Sequence, residues 1–172
     1  MMSKKLIFLG ICGVVLLIII SSLCFLKQEK GIEEDRYKFE FTLSMDKTEF
    51  LVGEPINVTI VLTNVGKSPI NVTPLILGYD VGFEIKNSTN EKIPSVGDIY
   101  GHWEPVRLNV TESLSLTHDL SKHYWVTYNL TQPDTYSIKA IYHNYHGEEY
   151  NVTRLESNTL SFTITSSEEQ GK

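Results

Sequence analysis

Gly53-Glu54-Pro55-Ile56-Asn57-Val58-Thr59-Ile60-Val61-Leu62-Thr63-Asn64-Val65-Gly66 is the stretch whose reading decides the fold. Ile56, Val58, Ile60 and Leu62 recur at every second position, with Asn57, Thr59 and Thr63 among the residues between them. Side chains two apart share one face of a strand, so this period places an apolar row against a polar one and marks a half-buried β-strand rather than a helix. Gly53-Glu54-Pro55 ahead of it and Asn64-Val65-Gly66-Lys67-Ser68-Pro69 behind it are built from residues that favour turns.

Working outward, the same period returns along the chain. Phe39, Phe41 and Leu43 alternate with Glu40, Thr42 and Ser44; residues 70–77 and 83–86 supply two further strands. Val106, Leu108 and Val110 alternate with Arg107 and Asn109, and Leu114, Leu116 and Leu120 follow. Tyr136, Ile138, Ala140 and Tyr142 form another inward row, and Leu160, Phe162 and Ile164 the last. No segment after residue 30 carries a 3.6-residue period. About seven or eight short strands separated by turns predict an all-β, antiparallel β-sandwich over residues 37–165. Residues 89–105 read as a long irregular connection, a kind of loop that is usually functional or mobile, and residues 166–172 as a polar tail.

The stretch 53–66 resembles the "GEPI-V-V-LTN-G" opening of many prokaryotic, archaeal-like extracellular Ig-like domains. So do Asp119-Leu120-Ser121 and Thr135-Tyr136-Ser137-Ile138-Lys139-Ala140-Ile141-Tyr142. The pieces are also similar to the Ig-like accessory sandwich found before some secreted metallopeptidase domains and to the BsuPI-type proteinase-inhibitor sandwich. Asp134 stands where those families usually place a glycine, and no HExxH zinc helix follows. The resemblance therefore implies a fold and transfers no catalytic residue.

The first 36 residues have a different character. Residues 6–26, LIFLGICGVVLLIIISSLCFL, contain no charge. As a helix at 1.5 Å per residue they would reach about 31 Å, which matches a hydrocarbon core of about 30 Å. A cleaved signal has a shorter apolar region, so an uncleaved single transmembrane anchor is expected. Residues 1–5 then form a cytoplasmic N-terminus and residues 27–36 an acidic linker. An N-terminus this short normally stays inside, which leaves the C-terminal domain outside the cell membrane.

Residues 1–30 hold four lysines and one acid; removing them from the chain's 15 basic and 21 acidic residues leaves 11 and 20. A domain this acidic, without a basic stripe, is not expected to bind nucleic acid. Both cysteines, Cys12 and Cys24, fall in the apolar run, so the outer domain has no disulfide and no thiolate metal site.

Asn-x-Ser/Thr triplets begin at Asn57, Asn71, Asn87, Asn109, Asn129 and Asn151, where chance predicts roughly 2. Five of the six are flanked on both sides by large apolar residues. If those neighbours point inward, the asparagine points outward, where a glycan could be attached. The plain alternative is a common half-buried strand pattern with polar outward residues.

Chemistry-bearing constellations are sparse. His143 and His146, with His118 and His123 elsewhere, do not converge on a metal from strand geometry and read as exposed loop histidines. No G-x-S-x-G elbow and no phosphate-cradling loop is present. No enzyme, metal or cofactor is expected. Tyr100, His102, Trp103, Tyr124 and Trp125 form a candidate binding surface, because loop aromatics offer large contact area at low entropic cost; they could equally cap the open ends of the sandwich. The expected role is a non-enzymatic one, in envelope structure or in binding another envelope protein, a peptide or a glycan. The alternatives are a proteinase inhibitor presenting loop 89–105 and, behind it, a metal-binding or enzyme-accessory domain.

Overall fold

The structure is a computed structural model and describes residues 38–96, 103–121, 127–144 and 154–166. The predicted anchor and linker lie outside the described residues. Residues from Tyr37 onward form a compact unit of their own.

Among the described residues all regular structure is strand. In chain order these are β1 (Phe39–Met45), β2 (Glu49–Leu51), β3 (Asn57–Asn64), β4 (Ile70–Val72), β5 (Val81–Lys86), β6 (Lys92–Ile93) and β7 (Ser95–Val96). Then come β8 (Val106–Leu108), β9 (Ser113–Asp119), β10 (Thr127–Tyr128), β11 (Asp134–His143), β12 (Arg154–Glu156) and β13 (Leu160–Thr165). One sheet has the order β1-β3-β9; a second has the order β2-β13-β11-β5-β6, with β12 also paired to β11. Two short pairs, β4-β8 and β10-β7, complete the arrangement.

The alternation read from the sequence is what joins the two sheets. Val58, Ile60 and Leu62 of β3 and Tyr136, Ile138, Ala140 and Tyr142 of β11 are buried in one shared core. Phe41 meets Tyr142 across it at 5.9 Å between ring centroids, and Phe83 stacks on His118 at 6.4 Å. Burying each large aliphatic side chain contributes about 1.5–3 kcal/mol, so a strictly alternating β3 fixes its register. A slip of one residue would turn the whole row to solvent.

The turns follow from their residues. Gly53 adopts φ 82° in the turn closed by the Glu54 N–H to the Leu51 carbonyl, a conformation that favours glycine. Asn64 is fully buried; its amide donates to the Ser68 and Leu108 carbonyls and its oxygen accepts the Gly66 N–H. At the start of β11 the Tyr136 hydroxyl donates to the Gln132 carbonyl at 2.9 Å, tying the strand to the corner that precedes it.

Several expectations need correction. The sandwich is not wholly antiparallel: β2 runs parallel to β13, because the chain leaves the first sheet after Met45 and crosses to lie beside the last strand. Thirteen strands, not seven or eight, occur among the described residues, the additions being two or three residues long. The strand predicted over 70–77 stops at Val72, before Pro74. Part of the connection 89–105 is ordered as strand, with β6 on β5 and β7 on β10. Val110 is 39% exposed instead of inward, because β8 ends at Leu108 and Thr111 turns the chain with φ 67°.

Candidate functional site

The sequon asparagines are the first group to place. Asn57 opens β3 between buried Ile56 and Val58; Asn71 sits mid-β4 between buried Ile70 and Val72; Asn129 follows β10 between buried Tyr128 and Leu130. All three asparagines are exposed, as alternation requires. Asn109 is exposed too, with only Leu108 of its neighbours buried. Asn87, at the end of β5, is half-buried.

Two sequons fold on themselves. The Asn87 side-chain oxygen accepts the Thr89 hydroxyl at 2.8 Å and the Glu91 N–H at 2.8 Å, and its amide donates to Glu91. The bond from the Asn87 amide, with a side-chain hydrogen bond from Thr89 beside it, holds the Glu91 carboxyl below the usual carboxylate range. The Asn129 oxygen likewise accepts the Thr131 hydroxyl at 2.8 Å. Thr73, the hydroxyl residue of the Asn71 triplet, is instead buried and donates to Asn144 at 3.1 Å. Asn151 lies outside the described residues.

Of the aromatic candidates, Trp103 is 42% exposed. Tyr100, His102, Tyr124 and Trp125 lie outside the described residues. The reading of the histidines as exposed loop residues fails for His118. It is buried on β9 because the even positions of that strand face the core. His143 is exposed on β11. Among the described residues no three His, Cys, Asp or Glu side chains could share a metal ion. Asp119 serves its own strand end. Its carboxylate accepts the Ile56 N–H at 3.1 Å and the Ser121 N–H and hydroxyl at 2.9 and 2.7 Å, which explains the Asp119-Leu120-Ser121 pattern structurally.

Two features were not anticipated from sequence. The first is a buried polar group around the start of β5. The turn at 76–81 is closed on the Ile76 carbonyl, which accepts the N–H groups of Tyr79, Asp80 and Val81. It carries Asp80 inside at 0% exposure, and the Asp80 carbonyl accepts the His143 N–H at 2.7 Å. Tyr142 donates its hydroxyl to the Thr73 carbonyl at 2.6 Å, and Asn144 accepts the Thr73 N–H and hydroxyl. Among the described residues, neither Asp80 carboxyl oxygen nor the Asn144 amide nitrogen has a hydrogen-bond partner. Burial pushes the Asp80 carboxyl up to about 7, and burial also raises the Tyr142 hydroxyl, with the Asp80 charge adding to it. No sequence signal distinguishes Asp80 from an ordinary turn aspartate.

The second is a shallow groove of about 210 Å³ on the outer face of β5 and β11, lined by Glu84, Lys86, Asn90, Ser137, Ile138, Lys139 and Thr159. Its charges alternate. Lys86 and Lys139 flank Glu84 at 3.5 and 3.8 Å; Lys139 also reaches Glu156 at 2.7 Å, and Arg154 closes the row on Glu156 at 2.6 Å. The Glu156 hydrogen bond raises the Lys139 ammonium, and the reciprocal bond lowers Glu156. Solvent screens exposed pairs of this kind, so the row describes a polar face and does not anchor the fold.

No family model matches the chain, and no curated protein matches it. Among solved structures, the chain is similar to the CARDB domain of the PF1109 protein from Pyrococcus furiosus, determined in complex with di-metal ions. The identity is 18%, over 76% of this chain and 90% of that one, with a TM-score of 0.41.

Proposed function

We propose that this chain is a single-span, membrane-anchored Ig-like module displayed outside the cytoplasm, with a non-enzymatic role in binding or bracing other envelope components. The observation that carries it is the disposition of the sequons. Asn57, Asn71 and Asn129 are exposed while both neighbours of each are buried, so the pattern leaves asparagine amides on the surface of a stable core. The uncharged run at 6–26 supplies the anchor. The bond from Tyr136 back to Gln132 supports the Ig-like reading, because a tyrosine at the start of such a strand typically ties back to backbone a few residues upstream.

The test is fractionation and intact mass of the native protein from its own membranes. A membrane-bound species heavier than the polypeptide by several glycans is the expected result. A soluble species lacking its first 20-odd residues would overturn the anchor. An unmodified membrane species would remove the asparagines from the case for display outside the cell.

A further inference from the structure

β9 forms one edge of the three-stranded sheet, and its two sides are unlike. The bonds from the Asn64 N–H to the Glu112 carbonyl and from the Leu120 N–H to the Ile56 carbonyl bracket the β3-β9 ladder. Hydrogen-bonded pairs alternate in an antiparallel ladder, so Leu114, Leu116 and His118 turn their backbone groups to β3 and Ser113, Ser115 and Thr117 turn theirs away. No strand among the described residues pairs with that outer side. The side chains of Ser113, Ser115 and Thr117 are exposed, and Leu114 and Leu116 are only partly buried.

Native sheets protect such an edge with charge, proline or a covering group. The other edge of this sheet is protected. Asn158 reaches across from the second sheet, accepting the Leu43 N–H and donating to the Leu43 carbonyl, both at 2.9 Å. Residues 113–117, Ser-Leu-Ser-Leu-Thr, carry no charge and no proline.

We propose that β9 pairs with β9 of a second copy of this chain, antiparallel about a two-fold axis through Ser115, making a continuous six-stranded sheet. The segment is self-complementary in that register. Leu114 falls opposite Leu116, Ser113 opposite Thr117, and Ser115 opposite itself, so apolar and hydroxyl rows each meet their like. The hydroxyl row extends one already formed inside the subunit, where Thr59 meets Thr117 at 2.9 Å and Thr63 meets Ser113 at 2.8 Å. Charge agrees: the paired stretch 113–117 is uncharged, so no two carboxylates are brought face to face. Such a contact is isologous and closes at two copies, which explains how an edge that no described strand covers avoids open-ended growth.

The test uses the full chain in detergent with Cys12 and Cys24 replaced by alanine. Ser115→Cys should oxidise to a covalent dimer, since directly opposed strand residues lie within disulfide reach. Ser44→Cys, on the edge closed by Asn158, should form at least about ten-fold less dimer under the same conditions. Light scattering should show a dimer for the chain without added cysteines and a monomer for Ser115→Lys, whose far-ultraviolet circular dichroism stays that of a folded β protein. A monomer without the lysine, a dimer that survives it, or equal cross-linking through position 44 would overturn the proposal.

Discussion

Asp80 is fully buried and no donor among the described residues meets its carboxyl oxygens, so the neutral acid is the form this environment favours. With the folded value near 7 and the ordinary value at 3.8, the folded chain keeps a proton that the unfolded chain has lost across that interval. The stabilisation is therefore complete below about pH 4 and is lost as pH rises through about 7. Unfolding free energy should fall by up to about 1.4 kcal/mol per pH unit in between and level off above. Asp80→Asn should flatten this slope in denaturant titrations run from pH 4 to pH 8; an unchanged slope assigns the proton elsewhere. Tyr142 tests the same region differently. Removing its hydroxyl with Tyr142→Phe leaves the Thr73 carbonyl without that donor in a buried setting, and should lower stability by about 1–3 kcal/mol in urea unfolding.

At the scale of elements, the edge of β1 depends on one side chain 115 residues away in sequence. Asn158 answers both the donor and the acceptor of Leu43 as a neighbouring strand would, and Asn158→Ala should cost about 1–2 kcal/mol for the two bonds. Chemical denaturation measures it, and a change below about 0.3 kcal/mol would mean that water replaces the amide without loss. None of this is visible beforehand, because nothing around Ser157-Asn158-Thr159 differs from a surface turn. By contrast β3 and β11 were legible, since eight and ten residues give a period of two enough repeats to be read. β2, β6, β7, β10 and β12 were not, since two or three residues carry no period and take their extended form from the strand beside them. The same contrast governs the sites. The outward asparagines of Asn57, Asn71 and Asn129 were readable from their buried neighbours, whereas Asp80 points inward only because the turn at 76–81 folds on the Ile76 carbonyl.

For the molecule as a whole, the absence of cysteine after residue 24 means that the unit from Tyr37 onward has no covalent staple and stands on its core. Small domains displayed outside the cell often rely on disulfides that contribute about 2–4 kcal/mol. Here the matching stabilisation comes from a continuous buried set running from Phe41 to Ile164 that joins both sheets. A strong reductant should therefore leave the thermal midpoint of the β unit unchanged, while Leu62→Ala, emptying a fully buried site on the central strand, should remove about 2–5 kcal/mol. Against the roughly 5–15 kcal/mol available to a folded domain, that single truncation takes a large share and should lower the midpoint by several degrees in calorimetry. A midpoint that falls on adding reductant would show that Cys12 or Cys24 contributes to the stability of the β unit. An unmoved midpoint with a damaging Leu62→Ala would place the stability in the packing that joins β3 to β11.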